Sequence, residues 1–153
     1  MKTAVVISDT HGRLKNLKNL YEVMEESDYV FHLGDGVADI RDFESRFPKK
    51  VLKVFGNCDG GGGTGLAEIE GVKVLFTHGH EYRVKYTLLP LLLKAKEAGA
   101  AVALFGHTHR AYSERQEGVL LLNPGSLGDY ATPSYAYLVF HEGNVYEKIV
   151  PIV

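Results

Sequence analysis

The chain has 153 residues, of which 45% are hydrophobic and 24% charged, and its net charge is −2. The composition is typical of a globular domain, and the length predicts one domain over residues 1–153. The slightly negative charge argues against binding of a long nucleic acid. Cys58 is the only cysteine, so no internal disulfide can form. With no signal-peptide pattern and no apolar run long enough to span a bilayer, we expect a cytoplasmic protein that does not enter membranes.

The first half of the chain alternates strand and helix patterns. Residues 3–7 form an apolar run rich in β-branched side chains, which predicts a buried strand. Apolar residues then recur at helical spacing over 14–24 and again over 37–47, where Pro48 ends the pattern. Strands are predicted over 28–33 and 51–55. This alternation favours a layered α/β fold with a partly parallel sheet.

The second half is richer in strands. A hairpin that turns at Gly71 is predicted over 66–77, and a helix over 88–98 ends at Gly99. Five further strands are predicted over 101–105, 111–115, 119–122, 135–141 and 145–150.

Side chains that bind metals follow five of the predicted strands. They are, in chain order, Asp9 and His11, Asp35, Asn57, His78 and His80, and His107 and His109. Ligands in open α/β sheets bind outside the carboxyl ends of the strands, so we expect these side chains to meet. Imidazole with carboxylate suits Mn, Fe, Co, Ni or Zn better than Ca or Mg, and two such ions can clamp a displacement at phosphorus. Asp35 is central enough in the order to touch both.

Each of these motifs also has an ordinary structural interpretation. Gly-Asp after a strand is commonly a turn, Asn57 tolerates turn geometry, and His-x-His can be a surface pair. Their occurrence in order at five strand ends is what favours a metal site over isolated turns. His32 lies inside a strand and is predicted to be a hydrogen-bonded core residue, and His141 an exposed hairpin residue.

Together the motifs resemble the calcineurin-like metallophosphoesterase superfamily. The resemblance is carried by Asp9-x-His11, Gly34-Asp35, Gly56-Asn57-Cys58-Asp59, His78 and Gly106-His107-Thr108-His109. The small size, the Gly-Asn-Cys-Asp motif and the loop over 123–126 are similar to compact YfcE-type phosphodiesterases, a branch that includes the retromer subunit Vps29. The resemblance implies an α/β fold consisting of a single-domain β-sandwich of two mixed sheets flanked by helices.

The resemblance also implies a ligand set and a reaction. One ion would be held by Asp9, His11, Asp35 and His109, and a second by Asp35, Asn57, His78 and His107. Mn²⁺ is the usual ion, with Ni, Co, Fe or Zn as alternatives. The implied function is a metal-dependent phosphoesterase, preferentially a phosphodiesterase, that hydrolyses a small phosphate ester by in-line attack of a metal-bridging hydroxide. The alternative is an inactive or weakly active Vps29-like interaction scaffold, and a homodimer is left open.

The proton donor is less well defined. The superfamily usually has histidine after the motif asparagine, where this chain has Cys58, and a thiol with a pKa of about 8.5 is a poorer acid near pH 7. His80 is the other candidate, Asn57 would help to stabilise charge, and Cys58 could instead be a small filler. The glycine run 60–63 lacks the Gly-Lys-[Ser/Thr] of a phosphate loop, which leaves a flap or a plain connection.

Overall fold

Ten strands form two facing five-stranded sheets in this computed structural model, which describes residues 1–153. The first sheet contains β1 (Lys2–Ile7), β2 (Tyr29–His32), β3 (Val51–Lys53), β9 (Ser134–His141) and β10 (Asn144–Pro151). The second contains β4 (Thr64–Ile69), β5 (Val72–Thr77), β6 (Val102–Leu104), β7 (Tyr112–Gln116) and β8 (Val119–Asn123). The strand orders are β10-β9-β1-β2-β3 and β4-β5-β6-β8-β7. Parallel strands β1, β2 and β3 form one side of the first sheet, and β5, β6 and β8 form the middle of the second. The remaining strands pair antiparallel, so the expected pair of mixed sheets is confirmed.

Short helices cover the outer face of each sheet. On the first sheet lie α1 (Leu14–Asn19), α2 (Tyr21–Glu26), a 3₁₀ turn (Val37–Ile40) and α3 (Arg41–Arg46). On the second lies α4 (Leu89–Glu97), whose Leu91, Leu92 and Ala95 are buried. Two further 3₁₀ turns span Asn57–Asp59 and His80–Tyr82. None of these helices is long and apolar enough to cross a membrane.

The main core lies between the two sheets and contains 16 buried side chains. Alternation along β1 explains its continuous apolar sequence, because successive side chains of a strand point to opposite faces. Ala4 and Val6 enter the core between the sheets, whereas Val5 and Ile7 pack under the helices against residues such as Phe43. A central strand buried on both faces fixes the position of the loop that follows it.

Two predicted helices are divided in the structure. The pattern over 14–24 becomes α1 and α2, separated at Leu20, whose N–H donates to Leu17 O in a 3₁₀-type bond. The pattern over 37–47 begins as the 3₁₀ turn and continues as α3, which stops before Phe47. That end fits the restriction that a proline places on the residue before it, here Phe47 before Pro48.

The hairpins turn at three Glu-Gly pairs. Residues 70–71, 117–118 and 142–143 each connect paired strands, and both residues of every pair have positive φ. That backbone is a type I′ turn, which matches the twist of the flanking strands. The hairpin predicted at Gly71 is therefore confirmed. The glycine run 60–63 connects a 3₁₀ turn to β4 and opens no helix.

Candidate metal centre

The carboxyl ends of strands from both sheets meet at one edge of the sandwich, where two groups of metal-binding atoms form. In the first group, Asp9 Oδ1 lies 3.1 Å from His109 Nε2 and 3.6 Å from His11 Nε2. The two imidazole nitrogens lie 3.2 Å from each other. These three side chains therefore point at a common volume of the size that one ion occupies.

The second group lies deeper. His78 Nε2 is 3.3 Å from Asp35 Oδ2 and 3.2 Å from His107 Nδ1. Asp9 Oδ1 is 3.9 Å from the same His78 nitrogen, which joins the two groups. The Asp35 carboxylate also lies within 4.8 Å of ligand atoms of His11 and Cys58. Asp35 is therefore close to residues of both groups.

The hydrogen bonds around this cluster fit a bound cation. His78 Nδ1 lies 2.8 Å from Leu33 O, which can only accept, so this nitrogen carries the ring proton. In the neutral imidazole Nε2 is then a bare acceptor, and it faces the Asp35 carboxylate, another acceptor. Asp9 Oδ1 is buried and has no hydrogen-bond partner, although buried polar atoms are almost always paired. A cation between these atoms would satisfy all three.

His107 is also prepared to act as a ligand. Burial, together with the nearby His78 and Lys85, lowers its pKa to about 4. The imidazole is therefore neutral at physiological pH, as a metal ligand must be.

The backbone at these residues is strained in a consistent way. Nine non-glycine residues have positive φ, and three of them belong to the Glu-Gly turns. Five of the others are the candidate ligands Asp9, His11, Asp35, His107 and His109. Left-handed backbone costs a non-glycine residue free energy, and such residues cluster at functional sites. This backbone conformation, in the loops that follow the strands, directs the five side chains towards one another.

Backbone contacts hold neighbouring loops against each other. The Asp9 N–H donates to Gly34 O at 2.9 Å, and the Gly106 N–H donates to His78 O at 2.9 Å. Gly56 packs so closely on the Asp35 loop that a Cβ there would lie 2.1 Å from Asp35 Oδ1. Glycine is therefore required at position 56 for the Asp35 carboxylate to keep its place.

Asp59 organises the loop that carries Asp35, a role that the sequence interpretation did not assign. Its carboxylate accepts the N–H groups of Asp35 and Gly56 at 2.7 and 2.8 Å, and those of Gly36 and Val37 at 2.9 and 3.3 Å. Burial alone would raise its pKa, but these four donors outweigh burial and lower the pKa below its usual value. The available signal was its place in the Gly-Asn-Cys-Asp motif.

The three residues expected to assist catalysis occupy different positions. The Asn57 amide contacts Cys58 Sγ at 3.8 Å and makes no polar contact with the histidines. Cys58 is exposed, its N–H donates to Asp35 Oδ1 at 2.8 Å, and its thiol lies near Asp35 and His11. The His80 ring centroid is 5.4 Å from that of His78, and its buried Nδ1 has no hydrogen-bond partner.

The loop over 123–126 is hydrogen-bonded to two of the loops that carry candidate ligands. Ser126 Oγ donates to Asp9 O at 2.7 Å, and Asn123 Nδ2 donates to Gly106 O at 3.1 Å. It therefore braces the loop of Asp9 and the loop of His107 together.

His32 and His141 lie where the sequence predicted. His141 is exposed, whereas His32 is fully buried, and its Nδ1 accepts the Gly34 N–H at 3.1 Å. His32 Nε2 therefore carries the proton and donates to Thr10 Oγ1, which in turn donates to Asp39 at 2.6 Å. This chain ties the Asp9 loop to the Asp35 loop.

The buried His32 predicts acid sensitivity of the metal-free protein. Burial lowers the pKa of His32 to about 4, so the unfolded state, with a histidine pKa of about 6.5, binds more protons between these values. The contribution of the neutral ring to stability is present above pH 6.5 and falls by about 3 kcal/mol by pH 4. Urea unfolding of His32→Asn, which keeps an acceptor for Gly34, should show a smaller loss over this range than the parent. The exposed His141→Asn is the control, and an unchanged pH dependence in His32→Asn would contradict the prediction.

Comparison with known proteins relates this geometry to a family. The sequence model of the family described as the calcineurin-like phosphoesterase superfamily domain matches residues 1–144 of this chain. A protein of Bacillus subtilis described as a probable metallophosphoesterase is 39% identical over 127 residues, covering 80% of this chain and 73% of its own. A phosphodiesterase of Methanocaldococcus jannaschii is 29% identical over 148 residues, covering 83% and 85%.

Two solved structures show the same fold. A protein of Streptococcus pneumoniae described as a predicted phosphoesterase superposes with a TM-score of 0.80 at 26% identity, covering 98% of this chain and 89% of its own. Vps29 of Entamoeba histolytica complexed with Zn²⁺ superposes with a TM-score of 0.68 at 19% identity, covering 97% and 98%. The latter similarity concerns the fold alone.

Proposed function

This chain belongs to the calcineurin-like phosphoesterase superfamily, and from that premise we propose that it is a metal-dependent phosphodiesterase with a dinuclear centre. The observation that carries the proposal is that Asp35, a member of the deeper group, also lies within 4.8 Å of a ligand atom of His11 in the first group. Asp9, His11, Asp35 and His109 would hold one ion, and Asp35, Asn57, His78 and His107 the other. Mn²⁺ is the proposed ion, since the mixture of imidazole and carboxylate favours transition metals over Ca²⁺ or Mg²⁺.

The residues of the chain position and protonate the substrate. Two bound divalent ions would lower the pKa of a water molecule and neutralise charge that develops on the phosphate oxygens. Asn57, on an exposed turn beside the centre, can donate its amide N–H groups to a phosphate oxygen. His80 lies beside His78 and His107 and is the proposed donor of a proton to the leaving oxygen. No serine or cysteine is needed as a nucleophile.

A diester is the preferred substrate because the Methanocaldococcus jannaschii relative is a phosphodiesterase. The test is a set of phosphate esters assayed with several divalent metals. We expect hydrolysis of bis(p-nitrophenyl) phosphate in Mn²⁺, with lower kcat/KM for p-nitrophenyl phosphate. A faster rate on the monoester would contradict the diester assignment but not the phosphoesterase assignment.

An inactive scaffold of the Vps29 type is the competing candidate. Metal binding does not separate the two, since a Vps29 has been solved with Zn²⁺. The distinguishing observation is turnover: a protein that binds metal at this centre but hydrolyses none of the esters would support the scaffold. The family match and the phosphodiesterase relative favour the enzyme.

Cys58 and His80 can be separated by their response to the leaving group. In the metal-free chain, hydrogen bonding to Asp35 and the nearby carboxylates raise the pKa of the exposed Cys58 thiol, so the thiol is uncharged at neutral pH. We expect Cys58→Ser to keep within about threefold of parent activity. His80→Ala should lose about 10²-fold on alkyl esters, the usual contribution of a general acid, but little on nitrophenyl esters, whose leaving groups need no proton.

The measurement is the dependence of log kcat/KM on the pKa of the leaving group. His80→Ala should steepen this slope, and Cys58→Ser should keep the slope of the parent. The opposite pattern would make Cys58 the acid.

A further inference from the structure

A cleft of about 660 Å³ lies beside the candidate metal centre. Phe105 and Thr108, which flank Gly106 and His107, form part of its wall, so the cleft continues directly from a ligand-bearing loop. Its volume lies within the range of sites that bind small organic molecules. None of the proposed metal ligands lines it, and the chemistry proposed above does not use it.

The floor of the cleft is apolar and its rim is positively charged. Val84 and Phe105 are buried in the floor, while Lys85 and Arg110 stand exposed on the rim. The side chains of Lys85 and Arg110 make no ion pair or hydrogen bond. By contrast, Lys53, Lys96 and Arg115 lie 2.6, 3.0 and 2.8 Å from carboxylates. The cleft is thus bordered by two free cations in a chain of net charge −2.

A tyrosine at the rim offers a surface for stacking. Tyr86 is 81% exposed and lines the cleft beside Lys85, with the Arg83 guanidinium 5.4 Å from its ring centroid. Aromatic side chains with one apolar face and one polar tip are enriched where ligands and partners bind. An apolar floor, an exposed ring and two cations together match a flat aromatic group that also bears negative charge.

We propose that this cleft binds the organic group of the phosphate ester and selects an aromatic ring with a second anionic substituent. The inference rests on the proposed function, because it assumes that the phosphoryl group binds at the neighbouring metal centre. A nucleotide-type diester, with a base and a further phosphate, has this chemistry.

Phosphonates that carry a single organic group test the cleft without turnover. Methylphosphonate, phenylphosphonate and 4-carboxyphenylphosphonate share the metal-binding group and differ by the ring and then by the charge. Calorimetric titration into Mn²⁺-loaded protein should give about tenfold tighter binding for phenyl than for methyl, from the buried apolar area. The carboxylate should add about threefold for each cation that it meets.

Substitutions at the rim should remove each preference separately. Lys85→Gln with Arg110→Gln should abolish the advantage of the carboxyphenyl compound over phenyl, and Tyr86→Ala should reduce the advantage of phenyl over methyl. All three residues are exposed, so the fold should survive. Lys49→Gln is the matched control, since Lys49 is an exposed lysine that precedes β3, at the opposite end of the sheet from the centre.

Parallel assays with bis(p-nitrophenyl) phosphate test the phosphodiesterase activity separately from ligand binding in the cleft. If the loaded protein hydrolyses diesters but the three phosphonates bind equally or not at all, the cleft assignment is wrong while the proposed function stands. If the protein hydrolyses no ester yet shows the expected order of binding and loses it in the rim variants, the proposed function fails and the cleft assignment holds. Rim variants that keep the parent preferences overturn the cleft assignment in either case.

Discussion

Prolonged dialysis against a chelator is expected to abolish phosphodiester hydrolysis, and added Mn²⁺ to restore it. The expectation follows from the cluster itself: Asp9 Oδ1 has no hydrogen-bond partner, and the His78 Nε2 acceptor faces the Asp35 carboxylate. Without a cation between them, these acceptors face one another with nothing to pair with. The measurement is the rate on bis(p-nitrophenyl) phosphate before chelation, after chelation and after return of the metal.

Thermal unfolding gives an independent measurement of the same requirement. An ion at about a thousandfold excess over its Kd stabilises the folded state by about 4 kcal/mol, and 1 kcal/mol shifts the Tm of a domain of this size by about 2–4 °C. Mn²⁺ should therefore raise the Tm of the chelated protein by several degrees at least, and Ca²⁺ by much less, because it prefers oxygen ligands. Undiminished turnover in protein shown by elemental analysis to be metal-free would refute the requirement.

The loops that carry the centre were predictable because the signals for them are local. Apolar runs such as 3–7 end directly in Asp9 and His11, and the structure places such strand ends together at one edge. The division of ten strands between two sheets was different. Strand patterns do not say which strands pair across long distances, and only the family resemblance supplied the sandwich, which the structure confirms.

What could not be predicted depends on contacts between distant residues. Asp59 caps the Asp35 loop from 24 residues away, and nothing near Asp59 in the sequence identifies that partner. The break at Leu20 carries no glycine or proline signal. Aspartate and histidine tolerate left-handed backbone without requiring it, so the positive φ of Asp9 and His11 was equally hidden.

Asp35→Asn should remove most activity and weaken binding of both ions. The Asp35 carboxylate reaches residues of both ligand groups, and asparagine keeps its size and its ability to accept the Cys58 N–H while losing the charge. Loss of a partner that merely orients a ligand typically costs 10- to 100-fold, so loss of a shared ligand should cost at least about a hundredfold in kcat/KM. His78→Ala should instead empty mainly one site, because His78 belongs only to the deeper ligand group.

The comparison is metal content per chain, measured by elemental analysis after equilibration with limiting Mn²⁺, together with kcat/KM. The parent should hold two ions, His78→Ala about one, and Asp35→Asn fewer than His78→Ala. Asp42→Asn, the same chemical change at an exposed position on α3, is the control and should match the parent in both measurements. If Asp35 is the carboxylate shared by the two proposed ions, its loss must lower both occupancies. An Asp35→Asn protein with both ions bound and near-parent turnover would show that the ions are held independently and that Asp35 bridges nothing.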